Sequence, residues 1–248
     1  MVERLVHNTW VYHDETGQRF GRDARNLQHT GMNVRAVFKV NNKVMLNRYM
    51  ERKRALNKVL CSELKEKPIL TEVEDIMKNR RKSEESAFNG EFKEAEVDVE
   101  AALPVATPSD ERLDAYFKSQ LSENETFLFH GTKEANLKSI VEHGFNYIKY
   151  SRVGLYGRGT YLAESSEKSD QYTDYFTTRR QEDLTLIIVR TVLGRVKAHT
   201  QESVTVADLK PSPTCDSYVT ALNKRFREFL LHDGAQIYPQ FIVLYDRG

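Results

Sequence analysis

Cysteine is scarce in this 248-residue chain: only Cys61 and Cys215, far apart and in no metal-ligand spacing. That excludes a disulfide framework and argues against structural zinc, and a reducing compartment is the natural home for such a chain. Charge of either sign is not in excess, since 37 Lys and Arg face 36 Asp and Glu. No whole-chain basic field draws nucleic acid, and no acidic surplus mimics a polyanion. The only compact basic run, Lys78-Asn79-Arg80-Arg81-Lys82, reads as a solvated helix face. Long apolar runs are missing as well. The opening MVERLVHNTW lacks the apolar centre of a secretory leader, and no stretch is long and apolar enough for a membrane-spanning helix. A soluble intracellular protein, nuclear or cytoplasmic, is expected. No internal repeat is detectable.

What is present is the ordinary balance of a globular protein, 40% hydrophobic and 29% charged, with length enough to bury a core. Asp14-Glu15-Thr16-Gly17 reads as a turn in a polar first stretch. Val34 to Val40 is dense in β-branched and aromatic residues and reads as a strand that Asn41-Asn42 ends. Leu46, Tyr49, Leu56 and Leu60 then make one apolar stripe of a helix, and Leu70, Val73, Ile76 and Met77 another beyond Pro68. Residues 83–106, rich in Glu and Ala, read as a mobile insertion. Thr107 as N-cap and Pro108 at the first helical position restart order ahead of Leu113, Tyr116, Phe117 and Leu121. Thr185 to Leu193 reads as a central strand, and Arg227–His232 and Phe241–Tyr245 as two more around an Asp233-Gly234 turn. Strands early and late, without βαβ alternation, predict an α+β fold and a single domain over 1–248.

Four clusters could carry chemistry: Phe127-Leu128-Phe129-His130-Gly131-Thr132; the glycine-rich Gly154 to Glu164; Ser165 to Tyr172; and Glu228-Phe229-Leu230-Leu231. Each has an ordinary reading. His130 could be a satisfied strand-end histidine, and the glycines a tight loop, for they fit neither a phosphate-cradling lysine loop nor a dinucleotide fingerprint. Ser169 and Tyr172 share a face if 166–176 is helical. Glu228 alternates with Phe226 and Leu230, as would a charge on an edge strand.

Taken together and in order, HGT, then GRGTYLAESSEKSDQY, then EFLLHDGAQIYPQF resemble the catalytic domain of the poly(ADP-ribose) polymerases, within the diphtheria-toxin-like ADP-ribosyltransferases. The likeness is clear over 127–172, continues through 185–196, resumes over 227–245, and is weaker over Val34 to about Leu60. It implies an ADP-ribosyltransferase fold of two packed, mostly antiparallel sheets flanked by helices. It implies His130 as the contact to the adenosine-side ribose, and Gly131 and Ser169 as the pair that holds the nicotinamide carboxamide. Tyr161 and Tyr172 would be the rings on either side of nicotinamide, with Glu228 as the catalytic carboxylate. Thr132 and Asn136 would touch the adenosine ribose, and Lys168 would stand near the acceptor side. NAD would be a substrate, with no permanently bound cofactor and no metal. Protein acceptors, including the chain itself, would be the partners, with neither membrane nor nucleic acid indicated.

The residue types suit that chemistry on their own account. Breaking a nicotinamide–ribose bond develops oxocarbenium-like charge, which a carboxylate stabilises while it helps deprotonate an incoming hydroxyl. Aromatic faces and one donor–acceptor pair hold a planar amide, and Gly157 and Gly159 let the backbone approach Tyr161. Some family features differ. Asn146 stands where some members carry an arginine toward the NAD phosphates. A paired-cysteine metal loop found in some members is missing, and the amino-terminal part does not read as the helical regulatory subdomain of DNA-damage-activated members. Glu228 favours poly- or oligo-ADP-ribose elongation over single transfer. Two further readings stay open: a silent NAD- or ADP-ribose-binding scaffold, and transfer to nucleic acid, against which the charge balance counts.

Overall fold

The computed structural model describes residues 2–10, 24, 26–63, 124–150, 154–199, 209–220 and 226–248. The turn expected at 14–17, the second amphipathic helix over 70–77, the basic run, the 83–106 insertion and the helix from Thr107 lie outside these residues.

In chain order the elements are α1 (Val2–Asn8), β1 (Met32–Lys39), α2 (Lys43–Glu63), β2 (Glu125–Gly131), α3 (Glu134–His143), α4 (Tyr147–Tyr150), β3 (Thr160–Ala163), α5 (Ser166–Asp170), β4 (Leu184–Val192), β5 (Val196–His199), β6 (Ser217–Thr220), β7 (Glu228–Leu231), a 3-10 turn (Gly234–Gln236) and β8 (Ile237–Arg247). The strands form one hydrogen-bonded sheet in the order β1-β8-β4-β2-β3-β7-β6-β5. Every neighbouring pair is antiparallel except β5 and β6. The fold is α+β, as expected. The two expected sheets are two four-stranded halves of this one sheet, joined between β2 and β3 only where Phe129 meets Ala163.

The near-continuous apolar run of β4 follows from burial on both faces. Leu184, Leu186 and Ile188 enter a core with Phe129, Val243 and Tyr245, onto which Val2, Val6 and Trp10 pack from the amino-terminal segment. Ile187 and Val189 enter a second core with Leu162, Val219, Phe229 and Leu231. That second core draws on strands of both halves, so burial rather than backbone pairing holds them together.

Asn42 caps α2, its side-chain oxygen accepting the Met45 N–H at 3.0 Å, which is why the double asparagine ends the strand and starts the helix. Tyr49 and Leu56 of the expected stripe pack with Val192 and Tyr238, Leu46 lies partly buried against them, and Met45, outside the stripe, joins the same core. The side chain of Leu60 lies outside the described residues. Asp233 accepts from the Ala235 N–H at 2.9 Å, so the expected turn is a capped 3-10 turn that feeds a β8 longer than the 241–245 run predicts.

Candidate active site

Strand β2 pairs with β4 along its whole length, but with β3 at a single residue pair. Beyond that pair no backbone pairing joins His130-Gly131 to Tyr161-Leu162. The His130 ring bridges the two strands instead, with Nδ1 2.9 Å from the Tyr161 carbonyl oxygen. A carbonyl only accepts, so Nδ1 carries the proton. Burial lowers the imidazole pKa, opposed in part by that carbonyl. The neutral ring therefore offers Nε2 as an acceptor suited to a hydroxyl. Phe145 packs edge-on against it, with 5.0 Å between ring centroids.

Gly131 ends β2 directly against α5. A Cβ there would lie 1.7 Å from the Ser169 carbonyl oxygen, so only glycine lets the two segments meet. The helix expected over 166–176 stops at Asp170. The Asp170 carbonyl, needed to carry a helix onward, is taken instead by the Thr173 N–H and hydroxyl and by the Arg247 guanidinium. Ser169 and Tyr172 stay together through a turn in which the Tyr172 N–H donates to the Ser169 carbonyl at 3.1 Å.

Tyr161 is fixed at its far end. Its hydroxyl donates to the Gly157 carbonyl at 2.7 Å and accepts the Tyr156 N–H at 3.0 Å. Gly157 has φ +98°, a conformation that side chains disfavour, so the loop needs glycine to bring that carbonyl round. Burial pushes the Tyr161 phenol up to about 12; the Tyr156 N–H opposes the shift and the charge of Glu228 adds to it.

Strand β7 lies inside the sheet, between β3 and β6, so Glu228 is not an edge-strand charge. It stands opposite Ala163 on one side and Thr220 on the other. Its side chain, 17% exposed, pairs with Lys168, 12% exposed, at 3.0 Å. The Lys168 ammonium also donates to the Tyr172 hydroxyl at 3.0 Å and lies near the Phe226 ring. Burial alone would lower the Lys168 pKa, but the Glu228 carboxylate and the Tyr172 hydroxyl together outweigh it and hold the pKa above its ordinary value.

Thr132 is buried and Asn136 exposed, the Asn136 amide donating to the Thr132 hydroxyl at 3.0 Å just past Gly131. Asn146 is exposed beyond α3.

Several supporting residues escape sequence reasoning. Arg227 makes a two-pronged pair with Glu164, fastening the residue before Glu228 to the end of β3. Lys133 donates to the Tyr172 carbonyl at 2.6 Å. Opposite charges at the two ends of the glycine-rich and β7 motifs were a signal for the first. Nothing local marks Lys133, whose partner is 39 residues away.

Geometrically, a neutral histidine acceptor, a glycine backbone, a serine, two tyrosines and a carboxylate gather around the junction of the two half-sheets. Among the described residues, no three His, Cys, Asp or Glu side chains gather as a metal-binding group.

Residues 14–241 match the family model of the poly(ADP-ribose) polymerase catalytic domain. The chain belongs to this family and, with it, to the NAD-dependent ADP-ribosyltransferases. It is also 38% identical over 78 residues to a poly [ADP-ribose] polymerase tankyrase of Caenorhabditis elegans, a match that covers 30% of this chain and 3% of that protein. NAD is thus the substrate that the family uses. Among the described residues no helix is long and apolar enough to cross a membrane.

Proposed function

We propose that this chain, acting as one catalytic domain, transfers ADP-ribose from NAD to protein acceptors, itself among them, and elongates the product. The observation that carries the reading is the convergence on the junction of the two half-sheets of His130, Gly131, Tyr161, Ser169, Tyr172 and Glu228, from three separated stretches of the chain. In this reading the Gly131 backbone and the Ser169 hydroxyl hold the carboxamide, and the rings of Tyr161 and Tyr172 flank nicotinamide. The bare Nε2 of His130 takes a hydroxyl of the adenosine-side ribose, and Thr132 and Asn136 contact that same sugar.

The reaction breaks the bond between the nicotinamide nitrogen and the ribose C1′, and nicotinamide leaves with the bonding pair. The carboxylate of Glu228 stabilises the cationic sugar. An acceptor oxygen then bonds to C1′ and gives its proton to Glu228 or to water. Where the acceptor is a ribose hydroxyl of an earlier product, the same steps lengthen a chain. Glu228, tied to Lys168 on the acceptor side, supports elongation.

Incubating the purified chain with labelled NAD and resolving it by gel tests this. A ladder is expected. A single sharp band would reduce the function to single transfer, labelled oligonucleotide would move the acceptor to nucleic acid, and no label with NAD still bound would leave a silent binding module.

A further inference from the structure

We infer that Arg247 is a positioning residue for the nicotinamide clamp: together with Asp170 and Asp174 its guanidinium sets where Ser169 and Tyr172 stand. The inference rests on the reading of those two residues as the clamp.

All five guanidinium N–H groups are directed at one segment. Nε donates to Asp170 Oδ1 at 3.0 Å, and Nη1 to Asp174 Oδ2 and to the Arg180 carbonyl. Nη2 donates to the Asp170 carbonyl at 3.1 Å and to the Thr173 hydroxyl at 3.4 Å. Every acceptor thus lies between residues 170 and 180, the stretch that leaves Ser169 and carries Tyr172.

The same stretch is held from other directions. Asp170 also accepts from the Tyr245 hydroxyl and faces His29 Nε2 at 3.0 Å. Arg179 donates to the Gln171 carbonyl at 2.9 Å and pairs with Asp174. Lys133 takes the Tyr172 carbonyl, and the Thr173 hydroxyl meets that of Tyr245 at 3.1 Å. Each residue from Asp170 to Asp174 is therefore anchored by a named group, and Arg247 is the one that touches three of the five.

The side chains of Arg247 and Asp170 are fully buried, so losing one member costs stability, although the intact cluster roughly breaks even against apolar packing. Strand β8 is already fixed by β4 and by Tyr245, Val243 and Phe241 in the core. What a rigid five-donor fork supplies is a single geometry for its partners, which a lysine ammonium cannot reproduce. Misplacing a binding group by about 1 Å is enough to cost one or two orders of magnitude in rate or affinity.

The test uses the full chain with Arg247→Lys, Asp174→Asn and Glu125→Gln. Glu125 belongs to a separate buried cluster with Tyr49, Lys53 and Arg190, at the opposite end of β2 from His130, and serves as the control for lost stability. Thermal melting and emission of the single tryptophan, Trp10, whose ring lies 5.4 Å from His29, report folding and the state of the network. Nicotinamide binding is measured by calorimetry, and KM and kcat for NAD by nicotinamide release.

Arg247→Lys is expected to bind nicotinamide about tenfold more weakly and to raise KM for NAD with a smaller change in kcat. Asp174→Asn should do the same to a lesser degree, and it decides the matter if Arg247→Lys does not fold. Glu125→Gln should lose melting temperature without losing nicotinamide affinity. The inference is overturned if the folded Arg247 and Asp174 variants bind nicotinamide like the parent, or if Glu125→Gln weakens binding as much. A parent chain that binds NAD but not nicotinamide would instead overturn the clamp reading, and this inference with it.

Discussion

The Lys168 ammonium stands 3.0 Å from Glu228 Oε1 and 3.0 Å from the Tyr172 hydroxyl. One largely buried cation therefore links the candidate catalytic carboxylate on β7 to Tyr172, one of the two candidate clamp rings, beyond α5. The pair fixes the carboxylate's direction through one oxygen, and in the proposed mechanism the other serves the sugar. Glu228→Gln is close to the parent in size, so it isolates the charge. It should lower ADP-ribosyl transfer by about a hundredfold or more while leaving NAD affinity nearly unchanged. Parallel automodification and NAD-binding measurements check this, and transfer at the parent rate would remove Glu228 from the role.

His130 should govern NAD binding rather than the chemical step. Its pKa lies below 6.5 because burial disfavours the imidazolium. The folded ring is thus more neutral than an ordinary imidazole at any given pH, and the unfolded chain takes up its proton first as pH falls. NAD affinity should hold around neutral pH and weaken as the pH falls and the folded group is protonated, at lower pH than for an ordinary imidazole. His130→Ala should weaken binding by about tenfold and flatten that acid limb. Titrations of NAD at a series of pH values distinguish the two curves.

Glycine substitution offers a contrast within one chain. At Gly131 a methyl group would meet the Ser169 carbonyl at 1.7 Å, whereas at Gly31 nothing lies within 4 Å. Gly131→Ala should force β2 and α5 apart, lowering the melting temperature and removing detectable nicotinamide binding. Gly31→Ala should change stability by less than about 1 kcal/mol. Equal effects of the two would contradict the close contact.

Acid should loosen the loop behind Tyr172. Burial alone would raise the Asp174 pKa, but Arg247, the Arg180 N–H and Arg179 together hold it below 3.8. A carboxylate lowered in the fold stabilises it fully above the unfolded value, and that stability disappears as pH falls through the folded value. The melting temperature should therefore hold to about pH 4 and drop below it. Asp174→Asn should begin lower at pH 7 and respond less to acid, which a pH series of thermal melts measures.

The candidate site was nominated by resemblance. Taken in order, HGT, the glycine-rich segment, SSEKSDQY and EFLL resemble the family's motifs, and that resemblance singled out His130, Gly131, Tyr161, Ser169, Tyr172 and Glu228, where each segment alone has an ordinary reading. The central strand was plain on its own, since a strand buried on both faces has to be apolar at nearly every position, as Leu184 to Val192 is. Helix length was less so. Nothing local says that the Asp170 carbonyl will be captured by Arg247, 77 residues later, and that α5 will end there.

By itself, then, the sequence determined the α+β class, the apolar strands and helix stripes that make the core, and the candidate residues of the site. Those properties depend on periodicity and on residue chemistry, which are local. The tertiary structure alone decided that the two half-sheets meet at one residue pair, that Glu228 lies on an interior strand beside Lys168, and that Arg247 serves the loop of Tyr172. Each depends on which distant segments burial brings together, and a side chain's partner across a core leaves no mark on its neighbours in the chain. The candidate clamp residues came from the sequence's resemblance; their neighbours were chosen by packing.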